Sequence, residues 1–186
     1  MTTSNTDSKT DSSTEDSSKI QNNPKNTRNF TTIVKSKTWF GLTAVSDVQP
    51  GRWHRAGYGN FLLTHPPVVN RLIRRGLAVS DNQHLSSLHE IGHLKMLPIE
   101  IAYAVIAFTL LYNQAEVSIA EFVIVTISCF SAWEMLAESH VISQSVTRYH
   151  LSYQSVSKLP RVIFWSITTF FLLAGCLIVF ELIQLK

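Results

Sequence analysis

Apolar residues gather in the C-terminal two thirds of the chain, in three runs parted by short polar stretches. The first covers Met96–Tyr112 and is broken only by Glu100. Asn113-Gln114-Ala115-Glu116 reads as a polar turn, and a second run covers Val117 to Ala137. Ser139 to Pro160 is polar, and a third run covers Val162 to Phe180. A helix that crosses a bilayer needs about 20 mostly apolar residues. The third run meets that length by itself. The first must borrow from the helix upstream of it, and Pro98 should kink it. The spans are placed at about 97–113, 117–137 and 162–182.

Ser80 and Gln83 have the spacing of a capping box, so a long helix should begin near Asp81. It runs through Leu88-His89-Glu90-Ile91-Gly92-His93 into the first apolar run. Before it, Thr64-His65-Pro66-Pro67 opens a short helix over Val68 to Leu77, with proline in its first turn. Arg71, Arg74 and Arg75 lie on that helix, either against anionic groups such as lipid phosphates or on a solvated face. Thr31 to Val45 is rich in β-branched and aromatic residues and suits a strand pair. Pro50, Gly51, Gly57 and Gly59 punctuate the stretch between that pair and the short helix. Trp39, Trp53 and Tyr58 among Lys35, Lys37, Arg52 and Arg55 suit a membrane-surface segment or a small core. Residues 1–29 are polar, lack the apolar stretch of a signal peptide, and are expected to be disordered. The chain thus divides into a tail (1–29), a cytoplasmic or membrane-surface segment (30–80) and a membrane-embedded domain (81–186).

Composition agrees with this division. Of 186 residues, 45% are hydrophobic and 16% charged, against about 25% charged in soluble domains. This argues against an ordinary soluble globule and for an integral membrane protein. The net charge of +3 is not gathered into a dense basic run, which argues against a nucleic-acid partner. Cys129 and Cys176 both fall in apolar runs and cannot form a disulfide framework. Residues 97–138 hold five Glu and no Lys or Arg, whereas 30–96 hold eight Lys or Arg against three acids. Arg148, Lys158 and Arg161 lie in 139–161. By the positive-inside rule both basic stretches, and with them the N-terminus, are cytoplasmic, and the 113–116 turn lies outside.

His89-Glu90-Ile91-Gly92-His93 is an H-E-x-x-H sequence. On a helix, residues four apart share a face, so both imidazoles can bind one zinc. Glu90 beside them can take a proton from a zinc-bound water, whose pKa the metal lowers to about 7. A catalytic zinc usually has three protein ligands. Candidates for the third are His84, Glu100, Glu134, Glu138 and His140. Glu100 lies about 10 Å further along the helix axis than His93, at 1.5 Å per residue. His84 points off the face, and His140 is badly phased with Glu134. Geometry favours Glu134. If the first two runs form an antiparallel hairpin about Asn113–Gln114, His93 stands level with Glu134 and His89 with Glu138. Glu138 would then accept the free ring N–H of a ligand histidine and set its tautomer. Ionisable residues at or within spans are costly and point to function.

His89-Glu90-Ile91-Gly92-His93 followed by Glu134-Met135-Leu136-Ala137-Glu138 resembles the gluzincin pattern H-E-x-x-H…E-x-x-A-[D/E]. It is most similar to the membrane group containing heat-shock membrane proteases and CAAX prenyl-protein proteases, over residues 80–140. The resemblance implies that His89, His93 and Glu134 bind zinc and that Glu90 is the general base. Where that group often has Asn or Arg near the third ligand, this chain has Trp133, and Glu138 replaces the commoner Asp. Thr64-His65-Pro66-Pro67-Val68-Val69-Asn70-Arg71-Leu72 is similar to a His-Pro-Pro…Arg segment that usually comes after the third ligand in that group. Here it precedes the motif.

The fold expected is an all-α membrane protein: a helical hairpin bearing the zinc site plus one further transmembrane helix, with a small mixed N-terminal segment and a disordered tail. The function expected is that of an integral-membrane zinc-dependent endopeptidase, its substrate a peptide or membrane protein near the cytoplasmic surface of the bilayer. A peptidase also needs a donor for the oxyanion. Arg148, Tyr149, His150 and Tyr153 are candidates, and His150 is the preferred one. A site-2-type intramembrane protease would want an Asp ligand in a later span, and no Asp occurs after Asp81. The other alternative is a non-catalytic membrane metal-binding or sensor protein.

Overall fold

A computed structural model describes residues 32–49, 53–114, 116–154 and 156–184. The expected disordered tail, 1–29, lies outside the described residues. The β-branched run seen in the sequence forms strands β1 (Thr32–Lys37) and β2 (Thr43–Val48). The glycine-punctuated stretch after it, whose pattern predicts no element, forms a second hairpin: β3 (His54–Tyr58) and β4 (Phe61–His65). Tyr58 pairs with Phe61 across a two-residue turn, where Gly59 takes φ +58° at no steric cost. The sheet is an antiparallel meander in the order β1-β2-β3-β4. Its third pairing sets His54 directly opposite His65.

Helix α1 (Val68–Ile73) comes directly after the proline pair. Helix α2 spans Val79–Tyr112, 34 residues without a break. It begins two residues before the expected start, with Ala78 as N-cap and no side-chain cap bond. Ser80 lies inside the first turn, so the Ser80–Gln83 capping box does not form. A true capping box opens α3 (Ile119–Gln144), where Ser118 and Glu121 satisfy each other's backbone N–H groups. Helix α4 (Val146–Gln154) and helix α5 (Leu159–Gln184) complete the chain.

Helices α2 and α3 pack as an antiparallel hairpin, and α5 lies along α3. Ala107 and Leu111 of α2 meet Val125 of α3 and Val179 and Leu182 of α5 at one end. At the other end Leu85 of α2 meets Val141 of α3 and Tyr149 and Tyr153 of α4. Helices α2, α3 and α5 are each long and apolar enough to cross a membrane, which marks an integral membrane protein. Ile101, Val105, Phe122, Phe130, Phe170 and Leu177 face outward from them, as lipid contact requires.

The sheet packs against α2 just before its apolar half. Pro98 lacks the N–H that would bind the carbonyl of Leu94 one turn earlier. That carbonyl accepts from the Tyr58 hydroxyl instead, at 2.6 Å. The next carbonyl, of Lys95, accepts from the Trp39 indole at 2.9 Å. The proline thus frees one docking point, the Leu94 carbonyl, for the sheet on the side of the helix.

Candidate metal centre

One turn of α2 separates His89 from His93, and their Nε2 atoms stand 3.1 Å apart. Glu134 enters from α3, with Oε2 3.2 Å from His89 Nε2 and 3.9 Å from His93 Nε2. Two atoms held by a tetrahedral zinc at its usual bond lengths stand about 3.3 Å apart. The three side chains form a group able to hold a metal ion.

Tautomers sharpen this fit. His89 Nδ1 lies 3.0 Å from Glu138 Oε2, an acceptor, so Nδ1 carries a proton and Nε2 is the ring atom that faces His93 and Glu134. The Trp133 indole, a donor only, points Nε1–H at His93 Nε2 at 3.2 Å, so that nitrogen carries a lone pair. Glu134 Oε2 is buried and faces both Nε2 atoms. Two imidazole nitrogens and a carboxylate oxygen therefore converge on one point. Two imidazoles and one carboxylate are a donor set that suits zinc.

Helix α1 and the sheet surround the centre with donors. Glu90 is 2% exposed. Its Oε1 accepts from His54 Nδ1 and from Asn70 Nδ2, each at 2.9 Å. Its Oε2 lies 3.0 Å from His65 Nε2. The His65 ring is partly exposed, and its hydrogen bond to Glu90 raises its pKa above the usual value, against the opposing pull of burial. Arg74 is 0% exposed and donates to Asn70 Oδ1, to the Leu85 carbonyl and, at 2.6 Å, to Glu138 Oε2. A continuous chain of hydrogen bonds results, running from Glu90 through Asn70, Arg74 and Glu138 to His89. Arg74 therefore belongs neither to a phosphate-binding face nor to a solvated one, although Arg71 and Arg75 on the same segment are exposed.

The structure brings His89, His93, Glu134 and Glu138 together and holds Glu90 against the sheet and α1. It places His150 elsewhere, exposed on α4 with its ring against Tyr149. Arg148 pairs with Asp81, and the Arg161 guanidinium lies 3.9 Å over the Tyr153 ring. His84 Nε2 stands 3.4 Å from Ser145 Oγ, and His140 is buried on α3. Glu100 is buried with both carboxylate oxygens lacking a hydrogen-bond partner among the described residues.

Sequence reasoning does not assign His54, Asn70, Arg74 and Trp133 to this centre. His65 and Asn70 do lie in the His-Pro-Pro segment, which is the one sequence signal for them. His54 has no such signal, because its place depends on strand register. Trp133 is visible as the neighbour of Glu134. The chain has no significant match among protein-family models, curated proteins or solved structures.

Proposed function

We propose that this protein is an integral-membrane zinc-dependent endopeptidase. The observation that carries the reading is the convergence of three ligand atoms, from His89, His93 and Glu134, next in the chain to the buried carboxylate of Glu90. These three residues would hold the ion. Zinc, when bound, would polarise the scissile carbonyl and make water more acidic. Glu90 takes the proton of the attacking water and passes it to the leaving amine. His54 and Asn70 hold Oε1. Oε2, shared with the partly exposed His65, is then the oxygen that exchanges the proton. Glu138 and Arg74 fix the tautomer of His89 from behind. The flanking basic stretches favour a cytoplasmic site, and the substrate in this reading is a peptide segment near the membrane surface.

A non-catalytic metal-binding or sensor role is the second reading. One observation favours it: Glu90 already has three partners from its own chain. Zinc content of the detergent-purified chain, with cleavage of a membrane-anchored reporter, tests both. The peptidase reading expects about one zinc in wild type and in Glu90→Gln, much less in Glu134→Ala, and cleavage by wild type alone. Full zinc in Glu134→Ala would remove that ligand. Zinc-bound wild type with no cleavage, or Glu90→Gln with cleavage intact, would favour the second reading.

A further inference from the structure

Trp133 sits on α3 immediately before Glu134, with its ring 5.1 Å from the His93 ring and tilted 40° to it. Its indole N–H rests on the lone pair of His93 Nε2 at 3.2 Å. Imidazole nitrogen has one such lone pair, so a metal that binds there must take it from the indole. The N–H then has no acceptor, yet remains beside the triad. The side chains that surround Glu90 and Glu138 are engaged with those carboxylates. His54, His65 and Asn70 hold Glu90, and Arg74 holds Glu138 and Asn70. Trp133 differs because its acceptor is the atom that a metal claims. It is also 37% exposed, whereas His89 is 1% exposed.

We infer that the Trp133 Nε1–H is the donor that stabilises negative charge on an oxygen held at this centre, and so is a catalytic residue for the attacked carbonyl. The catalytic meaning rests on the peptidase reading proposed for the same site. Indole neither gives up nor takes a proton at ordinary pH, so its role is purely electrostatic and does not overlap with that of Glu90. One donor of this kind is worth about 10²–10³ in kcat where it has been removed from hydrolases.

The test uses the full chain in detergent, loaded with zinc, and two small probes. Acetohydroxamate presents an anionic oxygen; imidazole is a neutral ligand without one. Trp133→Phe keeps a ring and loses the N–H. It should hold about one zinc, bind imidazole as wild type does, and bind acetohydroxamate about 10-fold or more weakly. Trp133→Gln restores a neutral donor and should recover part of that loss. Unchanged acetohydroxamate affinity in zinc-loaded Trp133→Phe would overturn the proposal. So would an equal weakening of both probes, which would mark a structural role. Wild type without zinc would overturn the metal centre itself, a different failure read in a different assay. Zinc and probe binding as expected, without any peptide cleavage, would leave the donor in place and remove the peptidase reading.

Discussion

Gly92 and Ala137 touch backbone to backbone: a Cβ on Gly92 would stand 2.8 Å from the Ala137 carbonyl oxygen and 2.9 Å from its Cα. Gly92 lies between the two histidines, and Ala137 between the two glutamates. The glycine in H-E-I-G-H therefore sets how near α3 comes to α2, and with it the reach of Glu134 and Glu138 to His89.

Gly92→Ala should push α2 and α3 apart, because the neighbours it meets are backbone atoms that cannot turn aside. The overpacking should cost about 1–3 kcal/mol. Zinc affinity should fall as Glu134 moves away from the histidines. Chelator competition on the purified variant measures this. Wild-type affinity would show that the close contact does not position the ligand.

Tyr58 and Pro98 should be coupled through the Leu94 carbonyl. Tyr58→Phe leaves that carbonyl without its partner and should cost about 1–3 kcal/mol. In a Pro98→Ala background the restored N–H can take the carbonyl, so the same change should cost clearly less. A double-mutant cycle of denaturation in detergent measures the coupling. Additive effects would mean that the proline and the tyrosine act independently.

Arg74 and Glu138 form a buried ion pair at 2.6 Å. Arg74→Met leaves the carboxylate without its cation and should destabilise by about 3–5 kcal/mol. Adding Glu138→Gln removes the stranded charge, so the double variant should be more stable than Arg74→Met alone. The order of denaturation midpoints decides it. A double variant no more stable than the single would show that the charge is not what costs.

His65 gives the sheet a pH-dependent grip on Glu90. Its pKa is raised in the folded state, so its contribution is full below the unfolded value of about 6.5. That contribution is lost as pH rises through the higher folded value. The stability difference between wild type and His65→Asn should therefore be larger at about pH 5.5 than at about pH 9. A difference that grows with pH would contradict the assigned hydrogen bond.

Much of the hairpin was legible because helices obey a fixed rise and a fixed period. Equal distance from the Asn113–Gln114 turn sets His93 level with Glu134 and His89 with Glu138, and the four side chains do come together. The surroundings of Glu90 were not legible. Three donors reach it from β3, β4 and α1, up to 36 residues away in the chain, and no local period links them.

The amino-acid sequence by itself determined the three apolar helices and the shared face of His89 and His93. Run length, turn residues and the four-residue spacing are local properties that each segment carries alone. Tertiary structure decided that Arg74 is buried and that His54 and His65 hold Glu90. It also decided that Trp133 rests on His93. These depend on how the sheet docks beside Pro98 and how closely α3 approaches Gly92. Such contacts arise from packing between distant segments, whose outcome no single segment encodes.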